Sequence, residues 1–291
     1  MNIEIFYSNT KGDYELLDTG GGERLERFGQ YSFVRPYEEA VWKKTLKKEW
    51  SEANGKFIPA KTGEKAGWRI NKNVDKIWVM SHRDIKFNVS PTPFRHFGFF
   101  PEQASHWDFI EKQIKDSGRH IKFLNLFGYT GVASLFALRA GAEVTHVDAS
   151  KQSLTGAKEN QALSGLNDLP MRIICEDVLK FIEREAKRGN KYDAIIMDPP
   201  KFGRGPKGET WKIEEMLPKL LQGVRKILSD KPLFVILTSY STDSSALSLG
   251  YALGDALKDL KGETEVGELC VMEKTNNRAI SLAHTAVWQN K

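Results

Sequence analysis

The chain has 291 residues, 40% of them hydrophobic and 28% charged, an ordinary globular balance in a chain long enough to bury a full core. No stretch approaches the roughly 18 uninterrupted apolar residues of a membrane helix, and the start, Met1-Asn2-Ile3-Glu4-Ile5, has neither the basic nor the apolar region of a secretion signal. Cys175 and Cys270 are the only cysteines, so no disulfide scaffold or cysteine-built zinc site is expected, and a reducing cytoplasm is the expected compartment.

In chain order, the first hundred residues lack long helical periodicity. Strands are predicted at 3–7, 14–18 and 31–34, with Gly20-Gly21-Gly22 as a turn. Val41, Trp42, Leu46 and Trp50 fall near one helical face, so the spacing predicts a helix over 37–50. A further strand pair follows at 76–80 and 85–89. Ser90-Pro91-Thr92-Pro93 cannot easily continue a strand, which places a boundary there. The chain divides into a β-rich module over 1–92 and a second domain over 93–291.

From residue 121 strands and helices alternate. Strands are predicted at 121–127, 143–147, 171–175, 192–197 and 233–238, with helices at 132–140, 151–164, 178–187 and 212–228. Pro218 is expected to interrupt the last helix. Such repeats imply an α/β, doubly wound and mostly parallel sheet. The tail reads as two strands, 264–272 and 280–288.

The charge is uneven. Residues 1–40 hold 4 Lys/Arg against 8 Asp/Glu, and residues 43–95 hold 13 against 5. Trp42, Trp50, Trp68, Trp78, Phe87, Phe94, Phe97, Phe99 and Phe100 lie in or beside the basic stretch. Basic groups neutralise phosphates and aromatic faces stack on unpaired bases, so the segment is a candidate for RNA contact. The same aromatics would equally serve as a small domain's core.

The motifs lie at strand ends. The first strand of the alternating region runs into Phe127-Gly128-Tyr129-Thr130-Gly131 before a helix. The two glycines permit a tight turn and close approach of a ligand, and the helix start offers free N–H groups. The second strand ends in Asp148-Ala149, where a carboxylate can accept both hydroxyls of a ribose. The third ends near Asp177-Val178, where a carboxylate can accept from an adenine amine. These three strand ends describe a pocket for an adenine nucleoside. NAD and S-adenosylmethionine both fit it, but Thr130 stands where the dinucleotide fingerprint needs its second glycine. The fourth strand ends in Asp198-Pro199-Pro200-Lys201-Phe202. The two prolines form a rigid corner without N–H donors. That corner can hold Asp198 and nearby carbonyls toward an amine or ring nitrogen, with Phe202 against the base.

Residues 121–240 resemble class I S-adenosylmethionine-dependent methyltransferases. Asp198-Pro199-Pro200-Lys201-Phe202 is similar to the Asp-Pro-Pro motif of the ribosomal RNA large-subunit methyltransferases. His96-Phe97-Gly98-Phe99-Phe100-Pro101-Glu102-Gln103 resembles the segment those enzymes carry before their first strand. The resemblance implies a Rossmann-like methyltransferase sheet with an antiparallel last strand. It further implies S-adenosylmethionine as cofactor, held by Phe127 to Gly131, Asp148, Ala149, Asp177, Val178 and Asp198, with Gln103 near its methionine end. Asp198, Pro199, Pro200 and Phe202 would serve the acceptor. Relatives that methylate C5 of cytosine place a cysteine after the fifth strand; here that stretch is Thr238-Ser239-Tyr240-Ser241-Thr242. A hydroxyl replaces a thiolate poorly, and both cysteines read as buried apolar residues. A base nitrogen in ribosomal or other structured RNA is the expected acceptor. The competing readings are a nicotinamide-dependent oxidoreductase, a methyltransferase for a protein or small molecule, and a non-catalytic RNA-binding protein. The six histidines show no metal-ligand spacing, so no metal is expected.

Overall fold

The computed structural model describes residues 1–8, 12–60, 65–205, 207–240 and 245–290. Two compact units form. The larger comprises Met1–Phe6, Ser105–Leu269 and Ser281–Lys291, and the smaller comprises Tyr7–Ala104 and Cys270–Ile280. Residues 93–104, read from sequence with the second domain, thus pack with the first hundred, and residues 1–6 pack with the larger unit.

After β1 (Asn2–Ser8), the smaller unit holds β2 (Tyr14–Gly20), β3 (Glu23–Phe28), β4 (Tyr31–Pro36), the single turn α1 (Lys48–Ser51), β5 (Gly55–Ile58) and β6 (Gly67–Ile70). Strands β2 to β6 form one sheet in that order; β7 (Trp78–His82) and β8 (Ile85–Val89) form a separate pair. Strand β3 escaped the sequence reading because Glu23-Arg24-Leu25-Glu26-Arg27-Phe28 looks like a charged turn. Its Leu25 and Phe28 are nonetheless fully buried, and Arg35 neutralises the buried Glu26.

The helix expected over 37–50 does not form beyond α1. Asp18 is fully buried, and its Oδ2 accepts from the backbone N–H groups of Thr45 and Leu46 and from Trp50 Nε1 at 2.7–2.9 Å. A buried carboxylate must find donors. Here it takes amides that a helix would need, and Val41 of the supposed apolar face is 87% exposed. Most of the aromatics are core: Phe28 stacks on Phe97 at 4.1 Å, and Phe33, Phe87, Phe99 and Trp78 are buried around them. Phe94 stands apart at 76% exposure.

The larger unit contains α2 (Ala104–Asp116), β9 (Lys122–Leu126), α3 (Val132–Arg139), β10 (Glu143–Asp148), α4 (Lys151–Leu163), β11 (Met171–Cys175) and α5 (Val178–Lys187). There follow β12 (Ala194–Met197), the short hairpin β13 (Phe202–Arg204) and β14 (Thr210–Lys212), α6 (Ile213–Ile227), β15 (Phe234–Ser239), α7 (Ala246–Ala256), β16 (Gly262–Met272) and β17 (Ala279–Asn290). Helices α2 and α7 and the β13–β14 hairpin were not read from sequence. Helix α6 runs through Pro218 without the expected break. The lost hydrogen bond is offset by a buried face of Ile213, Leu220, Leu221, Val224 and Ile227.

The main sheet has the order β1-β16-β17-β15-β12-β9-β10-β11. Pairs β15–β12, β12–β9, β9–β10 and β10–β11 are parallel, while β17 runs antiparallel to β15. Alternation of side chains serves two core layers. Leu124, Leu126, Ile195 and Met197 face α5, α6 and α7; Phe123, Ala194, Ile196 and Phe234 face α2 and α3. The chain leaves β9 outward through β10 and β11, then returns to β12 on β9's other flank. The strand order therefore reverses between β9 and β12, which opens a crevice at their carboxyl ends. Among the described residues, no helix is long and apolar enough to cross a membrane.

Candidate functional site

The registers bring the sequence-predicted residues to one crest. Leu126 lies level with Val147 and with Met197, Asp148 with Cys175, and Met197 with Leu237. The loop from Phe127, the turn from Asp148, the Asp198 corner and the end of β15 thus leave the sheet side by side. Within the loop, Phe127 and Tyr129 adopt φ of 57° and 51°, conformations that side chains other than glycine's rarely take. Gly131, at φ 83°, is the N-cap of α3, and no side chain caps the helix. Its first-turn N–H groups remain open to an anionic group.

The loop's strain is held by a buried polar chain that the sequence reading missed. Asn125 Nδ2 donates to Ser134 Oγ at 2.9 Å, Ser134 Oγ meets His146 Nδ1 at 2.9 Å, and His146 Nε2 meets the Tyr129 carbonyl at 3.2 Å. The carbonyl can only accept, so the ring proton sits on Nε2, and Nδ1 accepts the Ser134 hydroxyl proton. Burial pushes the His146 pKa down to about 4, which keeps the ring neutral. A Cβ on Gly128 would overlap that ring, and one on Gly131 would sit 2.9 Å from Ala157 Cβ. Both glycines are therefore required by close packing. From α4, Asn160 Nδ2 donates to the Thr130 carbonyl at 2.9 Å. The sequence signal for this chain was a histidine two residues before Asp148, within a strand whose inner residues are mostly buried.

Asp148 Oδ2 accepts from the Tyr129 N–H at 2.9 Å and Oδ1 from the Ser150 N–H at 2.8 Å. Burial raises its pKa despite these bonds. Further donors, such as hydroxyls, would be welcome there. Ala149 is half-buried beside it, and its carbonyl lies 3.6 Å from Cys175 Sγ. Asp177 is the N-cap of α5 and accepts from the Lys180 N–H at 3.1 Å. Val178 is a core residue. Cys270 is buried as expected, but Cys175 is exposed, a correction to the sequence reading. It ends β11, an edge strand of the sheet.

Behind α5 lies a carboxylate cluster that ties the helix to β11. Glu185 accepts from both Arg172 Nη atoms at 3.1 and 3.2 Å, and from Asn190 Nδ2 and Tyr192 Oη at 2.8 Å each. Burial alone would raise this carboxyl, but the four donors lower its pKa to about 2.

At the Asp198 corner, Asp198 is half-buried, Pro199 buried and Pro200 exposed. The β13–β14 hairpin grows from this corner. Trp211 Nε1 donates to the Pro200 carbonyl at 2.6 Å, and its ring meets Phe127 edge-on at 4.9 Å. Trp211 thus ties the corner to the glycine loop. Phe202 is on the opposite face of the hairpin and is 56% exposed. Thr238 and Ser239 are buried at the end of β15, while Ser241 and Thr242 lie outside the described residues. Gln103 belongs to the smaller unit, where it is buried in the 3-10 turn Pro101–Gln103. Among the described residues, no group of three or more His, Cys, Asp or Glu side chains could hold a metal.

Comparison with known proteins places this crest in context. The family described as Conserved hypothetical protein 95 matches residues 104–241. The ribosomal RNA large subunit methyltransferase I of Tolumonas auensis is 34% identical over 129 residues, covering 44% of this chain and 32% of that protein. The ribosomal RNA large subunit methyltransferase K of Neisseria meningitidis serogroup B is 29% identical over 154 residues, covering 52% of this chain and 42% of that protein. The matches thus span about a third to two fifths of these curated relatives' length. A crystal structure of an S-adenosylmethionine-dependent methyltransferase from Agrobacterium tumefaciens superposes with a TM-score of 0.94 at 42% identity, over 100% of this chain and 95% of that one. With the two chains alike from end to end at that identity, and with the crest built as described, this chain belongs to the S-adenosylmethionine-dependent methyltransferases.

Proposed function

We propose that the protein transfers the methyl group of S-adenosylmethionine to a base nitrogen of structured RNA, ribosomal RNA foremost. The observation that carries the reading is the crest itself, where Asp148, Asp177 and the Asp198 corner follow the carboxyl ends of β10, β11 and β12, on either side of the loop after β9. Support for RNA comes from the names of the partial relatives. Support for nitrogen comes from the stretch after β15, where no cysteine stands.

The residues present fit the cofactor. Asp148 is a desolvated carboxylate held by backbone donors, with a raised pKa that further donors such as ribose hydroxyls would offset. The uncapped start of α3 suits a carboxylate group. Asp177 would accept from the adenine amine, and Phe127 to Gly131, Ala149 and Val178 would line the nucleoside. When bound, the cofactor supplies an electrophilic methyl on a sulfonium. Asp198 and the carbonyls beside it would hold the acceptor nitrogen in line, accepting from an N–H of an exocyclic amine or of the base ring. Pro199 and Pro200 keep that corner free of competing N–H donors, and Phe202 would pack on the base. Rate would come from orientation and exclusion of water.

Labelled methyl transfer to total RNA, followed by nucleoside analysis, tests the reading. A labelled N-methyl base is expected, with Asp148→Ala weakening cofactor binding and Asp198→Ala abolishing transfer while cofactor still binds. Label found only in protein or small molecules would overturn the RNA assignment.

A further inference from the structure

The smaller unit carries one surface feature that its core does not explain. The turn between β8 and the 3-10 helix is tied at its base. Ser90 N–H donates to the Phe97 carbonyl, Thr92 N–H to the His96 carbonyl at 2.9 Å, and Trp68 Nε1 to the Thr92 carbonyl at 2.8 Å. At its tip Phe94 is 76% exposed, whereas Phe97 and Phe99, three and five residues later, are buried. The Phe94 ring stacks on His96 at 6.2 Å and 19°, and His96 leans on Phe100 at 5.4 Å. The ring is therefore propped on a short aromatic column with its outer face bare.

Arg95 follows in a left-handed conformation, φ 62°. Its carbonyl accepts from Arg35 Nη1 at 3.0 Å, while Arg35 holds Glu26 with Nε and Nη2 at 2.5 Å each. The buried Arg35–Glu26 pair thus fixes an unfavourable backbone turn at the residue directly after the bare ring. Arg24 shares Glu26 at 3.3 Å. Burial lowers the Arg95 pKa, and the Arg24 and Arg35 charges lower it further, against an opposing pull from Glu38. Arg95 therefore stands in a field where an anion would relieve repulsion. Burial and the Arg35 charge also lower the His96 pKa to about 4, so the stacked ring beneath Phe94 is neutral.

We infer that Phe94 and Arg95 form a nucleotide-binding subsite on the smaller unit, Phe94 stacking on an unpaired base of the substrate RNA and Arg95 pairing with its phosphate. This subsite rests on the RNA reading above and adds a specific contact to it. A bare ring on a tied turn, followed in the chain by a cation, matches what unpaired nucleotides require, a flat apolar face and a cation for the backbone. The basic excess of residues 43–95 supplies the long-range attraction.

The test uses the full chain, a fluorescent unstructured RNA of about 12 nucleotides, and the variants Phe94→Ala, Phe94→Trp, Arg95→Gln and Arg95→Lys. Phe94→Ala should weaken RNA binding about tenfold, and Phe94→Trp should keep it. Arg95→Gln should lower the slope of log affinity against log salt by about 0.7, and Arg95→Lys should restore it. Cofactor affinity should be unchanged in all four. If the wild type methylates RNA but Phe94→Ala and Arg95→Gln bind like it with the same salt slope, the subsite is wrong and the RNA reading stands. If the wild type neither binds nor methylates RNA, both fall together.

Discussion

The His146 chain offers the sharpest test of how the fold holds the loop from Phe127 to Gly131, which we propose binds the cofactor. Replacing His146 by Phe keeps a flat ring, somewhat larger than the imidazole, but leaves the Tyr129 carbonyl and the Ser134 hydroxyl without the partners they have at 3.2 and 2.9 Å. Orphaning such groups costs about 2 kcal/mol in total once partial access to water is allowed. The pH dependence identifies the cause. The folded pKa of His146 is about 4 against 6.5 for a free histidine, so the unfolded chain takes up the proton first. The wild type's stability from this group is complete above pH 6.5 and is lost as the pH falls toward 4. At pH 5 the difference of one and a half units amounts to about 2 kcal/mol. His96 and His106 titrate in the same direction, but they are common to both proteins and cancel in the difference. Urea unfolding should therefore show His146→Phe about 2 kcal/mol less stable at pH 7 and nearly equal to wild type at pH 5. Calorimetric titration at pH 7 should show S-adenosylmethionine bound about tenfold more weakly. A stability gap that is the same at both pH values would refute the assignment of a neutral, network-bearing His146.

Two further outcomes follow from the site's surroundings. Glu185→Gln removes a carboxylate whose pKa is about 2 against 4.5. That stabilisation is present above pH 4.5 and lost as the pH falls toward 2, so the variant should be about 3 kcal/mol less stable at pH 7, with more than half of the gap gone by pH 3 in urea unfolding. Cys175 is exposed and Cys270 is buried, so a thiol reagent should label the folded chain once, at Cys175 on peptide mapping, with the second thiol reacting only on unfolding.

Much of the architecture was legible in the sequence because it rests on local periodicity and strand-end chemistry. The strands from 121 to 238, the helices between them, the Phe127 to Gly131 loop, and the carboxylates at 148, 177 and 198 all announce themselves within a few residues. The order of those motifs already implied the crevice that the β9–β12 reversal creates. What failed did so for non-local reasons. The periodicity of 37–50 pointed to a helix, but Asp18, far upstream, claims the amides of Thr45 and Leu46. Cys175 read as a buried residue, but its strand is the sheet's edge, and edge position is set by topology.

The sequence by itself determined the alternating fold, the series of strand-end motifs and the basic excess, because each depends on neighbours along the chain. Only the tertiary structure decided which polar groups brace that series. Asn125, Ser134 and His146 lie on β9, α3 and β10 and meet only when β9 and β10 pair and α3 packs across them. Likewise, only folding sorted the aromatics of the first hundred residues. Packing hid Phe97 and Phe99 and left Phe94 facing solvent, because burial depends on which faces close together rather than on composition.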